Sequence, residues 1–250
     1  MLLVEDTPAN TIIATAFLKR LGHTSRHAAN GQLALQALGE EAFDLVLMDV
    51  EMPVMDGLEA TRRLRGGEAG EKNRATPVLA MTAHALATFR DQCAEAGMNG
   101  FVPKPVSFRD LAAILAGQSG SGEAQPAEKP AAARLELLDL PAALHLLNGH
   151  RELFDEVLDI FQAELPAKRQ ELALALEHGD LTALRLTAHS LKSSCASVGA
   201  GPASRAAENL EDAVKDGLTA LLPGLRETLD SLLEATREAL GEARKNLGEK

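Results

Sequence analysis

The sequence has no tyrosine and no tryptophan, and aromatic residues make up only 3% of it. That disfavours a surface built to stack on bases. Basic residues are also scarce: 25 Lys and Arg stand against 36 Asp and Glu, for a formal net charge of −11. That is the wrong sign for nonspecific nucleic-acid binding, so no nucleic-acid partner is expected. There are only two cysteines, Cys93 and Cys195, far apart in the chain. A disulfide scaffold is excluded on that count, and a reducing, cytoplasmic setting is expected. No run of about 18 consecutive apolar residues occurs, and no basic region precedes the apolar N-terminus. Neither a membrane span nor a secretory signal is therefore expected.

What is present divides in two, and 250 residues suffice for two ordinary domains. Over 1–116, short apolar runs alternate with helical periodicity five times. The runs lie at 1–4, 23–29, 45–48, 77–82 and 100–105. This pattern predicts an α/β domain with a doubly wound, five-stranded parallel sheet. Residues 117–134 are Gly, Ser, Ala, Pro, Glu and Gln without periodicity and predict a flexible linker. Residues 135–250 are rich in Leu and Ala and show no strand pattern. Helices are expected at about 140–147, 151–164, 167–178, 180–197, 203–215 and 218–245, forming an all-α antiparallel bundle. The last is predicted to bury Leu218, Leu222, Leu225, Leu229, Leu232, Thr236 and Leu240.

The first half carries its chemistry at the strand ends, where open parallel sheets place reactive groups. The run Leu45 to Met48 stops at Asp49, the first strand stops at Glu5-Asp6, the fourth at Thr82 and the fifth at Lys104. Three carboxylates brought together need a cation, since two unit charges about 5 Å apart repel by ~3 kcal/mol at an effective dielectric of about 20. Hard oxygen donors around an open site suit Mg²⁺. A carboxylate nucleophile flanked by a metal, an ammonium and a hydroxyl is the equipment for phosphoryl transfer to aspartate.

Four stretches carry a family resemblance: Leu2-Leu-Val-Glu-Asp6, Leu47-Met-Asp-Val-Glu-Met-Pro-Val-Met-Asp-Gly57, Ala80-Met-Thr-Ala-His84 and Gly100-Phe-Val-Pro-Lys-Pro105. Through them residues 1–116 resemble a two-component receiver domain of flavodoxin-like fold. The resemblance implies that Asp49 is the phosphoacceptor and that Glu5, Asp6, Asp49 and the Glu51 carbonyl hold Mg²⁺. It also implies that Lys104 and Thr82 contact the phosphoryl group, that Phe101 turns inward when Thr82 moves, and that Lys104–Pro105 is a cis peptide. Small Ala83 would leave a path to Asp49. Such a domain catalyses its own phosphorylation and dephosphorylation.

In the second half, Leu181, Leu184, Ala188, Leu191, Cys195 and Val198 step by three and four and form a buried stripe. His189 falls beside it, on a flank shared with Arg185, Lys192, Ser193 and Ala196. That spacing predicts an exposed imidazole next to a neutralising lysine. Cys195, on the stripe, is expected to pack. The stretch Ala188-His-Ser-Leu-Lys-Ser-Ser-Cys-Ala-Ser-Val-Gly-Ala200 resembles the signature of histidine-containing phosphotransfer domains. The resemblance makes His189 the second phosphoacceptor and Lys192 its cation. It departs at Ser193, where the family usually has glycine. The acidic residues of this half are expected on a solvated surface.

Together these features predict a phosphorelay chain that moves phosphoryl groups between His189 and Asp49. An upstream histidine kinase and a downstream response-regulator receiver are its expected partners. One alternative is the C-terminal part of a hybrid sensor histidine kinase; no ATP-binding kinase motif occurs in this sequence. An alternative of another class is an aspartate-nucleophile phosphatase with Glu51, two residues after Asp49, as general acid. Fully extended, residues 117–134 span about 60 Å, and as a coil roughly 23 Å. Docking of the receiver and phosphotransfer domains of one chain is thus also expected.

Overall fold

The computed structural model describes residues 1–82, 87–117 and 137–248. The chain divides into two compact units, Met1–Lys129 and Pro130–Lys250. The division falls within the predicted linker, which from residue 118 to 134 lies outside the described residues.

In the first unit, strands β1 (Leu2–Val4), β2 (Arg26–Ala28), β3 (Val46–Asp49), β4 (Val78–Thr82) and β5 (Gly100–Pro103) alternate with helices. These are α1 (Pro8–Arg20), α2 (Gly31–Glu40), α3 (Gly57–Gly66), α4 (Ala87–Glu95) and α5 (Phe108–Leu115). All strand pairs are parallel, in the order β2-β1-β3-β4-β5. Residues of β1 and β3 are wholly buried, as continuous apolar runs covered on both faces require. Local chemistry sets the helix starts. Pro8 opens α1 at a position where its missing N–H costs nothing. Asn30, Asp56 and Ser107 cap α2, α3 and α5 by accepting from backbone N–H groups.

The second unit contains α6 (Leu140–Leu146), α7 (Arg151–Glu177), α8 (Leu181–Ser197), α9 (Gly201–Lys215) and α10 (Leu222–Gly248). The four long helices pack in a ring, α7 on α8, α8 on α9, α9 on α10 and α10 on α7, with α6 against α7 and α8. Two expectations need correction. The helices predicted at 151–164 and 167–178 are one helix, with Pro166 inside it. Proline mid-helix costs about 3 kcal/mol through the lost hydrogen bond and the clash with the preceding turn. Buried Phe154, Val157, Leu158, Phe161 and Leu165 before it, and Leu172 and Ala175 after it, outweigh that cost at ~1.5–3 kcal/mol for each large side chain. In α10 the buried residues are Leu222, Leu229, Leu233, Thr236 and Leu240, while Leu218 is exposed. A 3₁₀ turn at Thr219–Leu221 precedes α10, so Leu218 is outside the helix. Starting from Leu222, the helical phase brings Leu233 rather than Leu232 to the stripe. Arg169 of α7 ties this helix in, donating from Nε to Asp230 at 2.7 Å and from a second nitrogen at 3.0 Å, and pairing with Glu234.

Cys195 is fully buried on the packed face of α8, where burial pushes its thiol up to about 12. Below that pH the sulfur stays protonated and unreactive. Alkylation at pH 8 should therefore leave Cys195 unmodified in the native protein and modify it in urea, as read by mass spectrometry.

Candidate functional site

Parallel register brings the strand ends into line: Val4 pairs with Met48, Asp49 with Met81 and Thr82 with Pro103. Glu5, Asp49, Thr82 and Lys104 therefore meet at one edge of the sheet, at the switch between β1 and β3. The Lys104 ammonium lies 2.7 Å from Oε2 of Glu5 and 2.7 Å from Oδ2 of Asp49, and all three side chains are buried. Burial by itself would lower the amine's pKa, but the carboxylates of Asp49 and Glu5 outweigh it and hold the amine above its ordinary value. The other Glu5 oxygen accepts from the Thr7 N–H at 3.3 Å and from Asn10 Nδ2 at 3.0 Å. Oδ1 of Asp49 accepts from the Glu51 N–H at 3.4 Å. The Glu51 backbone is thus placed beside Asp49.

Glu5, Asp6 and Asp49 each offer a carboxylate oxygen, and these lie within 4.8 Å of one another. One ammonium against three acids leaves the cluster negative. Its donors are all oxygen, so it fits a hard divalent cation such as Mg²⁺.

Thr82 is buried at the end of β4, and its carbonyl accepts from the Lys104 N–H at 2.8 Å. Phe101, on β5, is half-buried, and the guanidinium of Arg90 lies 4.4 Å over its ring. A cavity of about 170 Å³ is lined by Thr82, Phe101, Arg90, Cys93 and Met98, so there is space next to both residues assigned to switching. The Lys104–Pro105 peptide is cis. Ala83 lies outside the described residues.

Gly57 closes the receiver-like stretch that contains Asp49, and the fold depends on its bareness. A Cβ there would meet the Asp49 carbonyl oxygen at 2.2 Å and Met48 Cγ at 2.8 Å. The start of α3 thus presses directly on the strand end that presents Asp49, and the Gly57 N–H donates to the Val50 carbonyl at 2.9 Å.

In the bundle, His189 and Lys192 lie one turn apart on α8, on the flank that their spacing predicts. The neighbouring helix α9 packs against α8 and brings Glu211 between them. Oε1 of Glu211 is 3.2 Å from His189 Nδ1 and 2.5 Å from Lys215 Nζ, and Oε2 is 2.7 Å from Lys192 Nζ. Burial would raise the carboxyl's pKa, but His189, Lys192 and Lys215 together hold it well below the usual carboxylate range. Glu211 is the functional residue that the sequence reading missed, being counted among solvated surface acids. A signal was available, because Ala203, Ala207 and Glu211 step by four along the small-residue stripe of α9. An acid on a core stripe needs a buried cationic partner.

A doubly wound sheet with an acid–lysine cluster at its carboxyl edge, followed by a helical bundle with a histidine held mid-helix, defines a phosphoryl-carrier class: receiver plus histidine phosphotransfer bundle. Comparison with known proteins agrees. The family model for the response regulator receiver domain matches residues 1–116, and that for the Hpt domain matches residues 156–239. The chain belongs to the two-component phosphorelay proteins, as a response regulator receiver joined to an Hpt domain. It is 32% identical over 250 residues to the sensor protein GacS of Pseudomonas syringae pv. syringae, covering 98% of this chain and 27% of that protein. It is 42% identical over 120 residues to the two-component response regulator ORR41 of Oryza sativa subsp. japonica, covering 46% of this chain and 91% of that one. Among solved structures it is similar to the receiver domain of a sensor histidine kinase from Pseudomonas aeruginosa, crystallised with magnesium in its active-site cleft. That match has 40% identity and a TM-score of 0.42, and covers 46% of this chain and 91% of the other. The chain spans about a quarter of the length of its sensor-kinase relatives. Among the described residues no helix is long and apolar enough to cross a membrane.

Proposed function

We propose that Asp49 and His189 are the two phosphoryl carriers of this chain, exchanging the group with an upstream histidine kinase and a downstream receiver. The convergence of Glu5, Asp6, Asp49 and Lys104 at one sheet edge carries the reading. A carboxylate oxygen of Asp49 attacks the phosphorus of a phosphohistidine whose Nδ1 is protonated. The P–N bond breaks, and its electron pair returns to the ring, which leaves as neutral imidazole. Charge is conserved, since the acid loses its negative charge as the ring loses its positive one. Glu5, Asp6, Asp49 and the Glu51 carbonyl would hold Mg²⁺, which when bound neutralises the acids and the phosphoryl oxygens. Lys104 supplies a fixed ammonium, and the Thr82 hydroxyl donates to the phosphorylated state. Phe101 turns into the adjacent cavity and reports that state. In the bundle, Glu211 holds the Nδ1 proton, so Nε2 is the nucleophile, and Lys192 meets the charge of the group it accepts.

A phosphatase with Glu51 as general acid accounts for the first site but leaves the His189, Lys192 and Glu211 group without a role. The same two carriers would serve equally within a hybrid sensor kinase. The predicted linker supports exchange inside one chain, because tethering at that length gives an effective concentration on the order of millimolar.

The test is radiolabelling from acetyl phosphate or a labelled histidine kinase, with Asp49→Ala and His189→Ala variants. Label on Asp49 should be lost in base and hydroxylamine, require Mg²⁺, and vanish in Asp49→Ala. Label on His189 should survive base, hydrolyse in acid, and vanish in His189→Ala. A label stable to acid and to hydroxylamine is a serine or threonine phosphate ester and refutes the relay. In the same assay, transfer within the intact chain should be independent of dilution, whereas a mixture of the two variants should slow as it is diluted.

A further inference from the structure

Glu211 and Lys215 are four residues apart on α9, and a surface pair at that spacing is ordinary. This pair is different in its surroundings. Glu211 is fully buried, and the oxygen that Lys215 touches is the one that faces the His189 ring. Lys215 Nζ is therefore one oxygen away from the imidazole. It is the last residue of α9, and its side chain is one-third exposed. A long stem at a helix end can turn without disturbing the core.

We infer that Lys215 is a second cation for the phosphoryl group on His189, held by Glu211 until that group arrives. The inference rests on the reading of His189 as a phosphoacceptor. Charge accounting favours it. Counting the bundle's own groups with a neutral ring, one carboxylate and two ammoniums leave one excess positive charge. Nε2 attacks phosphorus, its lone pair forming the P–N bond as the donor's bond to phosphorus breaks and that electron pair leaves with the donor. A dianionic phosphoryl group is then attached to a ring that is cationic while Nδ1 keeps its proton. The ring charge falls opposite Glu211, which no longer needs both lysines. The phosphoryl oxygens do need them, because without Lys215 two negative charges would face Lys192 alone. Lys192 lies on α8 one turn from the ring, and Lys215 approaches from α9, so the two ammoniums can flank the group from different helices.

The experiment measures the equilibrium distribution of label between a phosphorylated donor receiver and His189 in the full-length chain carrying Asp49→Ala, which removes the competing acceptor. Lys215→Met should shift that equilibrium 3- to 10-fold toward the donor, and the difference from the parent should shrink as salt is raised. Lys215→Arg should restore most of it. Lys168→Met, which removes a partly exposed lysine paired with Glu171 on α7, should leave it unchanged. The ¹⁵N spectrum of the His189 ring should keep the same tautomer in Lys215→Met, separating loss of a cation from loss of ring positioning. An equilibrium in Lys215→Met equal to that in Lys168→Met, or a loss that Lys215→Arg does not restore, overturns the inference. If the parent itself takes no acid-labile label, it is the assignment of His189 that fails, and that outcome is distinct from both.

Discussion

Lys104→Met should lower labelling of Asp49 by about 10²- to 10³-fold, the usual loss when one preorganised donor to a developing charge is removed. Its effect on the fold should be as informative. Lys104 is the ammonium shared by two buried acids at 2.7 Å each, so its loss leaves Glu5 and Asp49 without their common partner. Removing one member of a buried ion pair typically costs ~3–5 kcal/mol. The sign of the pH dependence follows. In the variant two buried carboxylates face each other without their shared cation, and binding a proton relieves that repulsion. Protonating them then favours the folded state, and the variant should lose stability as pH rises from about 5 to 7.5. Mg²⁺ should recover part of that stability, because a divalent cation restores the charge balance, without recovering the labelling rate. Urea melts at the two pH values, with Mg²⁺ and with chelator, test each part. A variant that labels at the wild-type rate, or whose stability is indifferent to pH and Mg²⁺, would remove the lysine from this role.

Gly57→Val should abolish labelling of Asp49, with a loss of at least 100-fold, and destabilise the first unit by about 3 kcal/mol or more. The argument is steric. A Cβ at position 57 would lie 2.2 Å from the Asp49 carbonyl oxygen, and a strand backbone fixed by pairing to β1 and β4 on either side does not yield as the end of a side chain would. The start of α3 must move, and Asp49 with it. Overpacking a core costs ~1–3 kcal/mol in ordinary cases, and contact with backbone puts this one at the upper end. Gly39 provides the control. It sits near the end of α2 with no atom within 4 Å of where a Cβ would stand, so Gly39→Ala should be neutral or stabilise by up to ~1 kcal/mol. Thermal melts and Asp49 labelling of both variants test the pair. Equal behaviour of the two would show that the close approach at Gly57 is not what positions Asp49.

The order of strands and helices in the first unit, and the residues at its strand ends, were legible because each is encoded locally. A buried strand needs an apolar run, a helix start needs a cap such as Asn30, Asp56 or Ser107, and a parallel sheet presents whatever ends each run. Asp49, Lys104 and Thr82 stand at such ends, so the chemistry could be read from the order of residues. His189 and Lys192 were legible for a similar reason, since two residues three apart on a helix share a face whatever surrounds them.

Tertiary structure decided what depends on elements distant in sequence. Glu211 reaches His189 from another helix, and only packing of α9 on α8 turns an acid on an alanine stripe into the partner of an imidazole and two lysines. Pro166 marks a helix break when judged by backbone propensity alone. The stripe from Phe154 to Ala175 carries the helix through it, because the core energy exceeds the local penalty. A 3₁₀ turn before Leu222 brings Leu233 into the α10 stripe, a phase that leucine spacing did not specify. The need for a bare Gly57 is set only where α3 comes to contact distance with β3. The sequence by itself thus determined which groups could do chemistry and on which elements they ride, since periodicity, caps and strand ends are short-range. Only the tertiary structure decided which charges meet and which atoms leave no room for a methyl group, because both are set by the packing of one element on another.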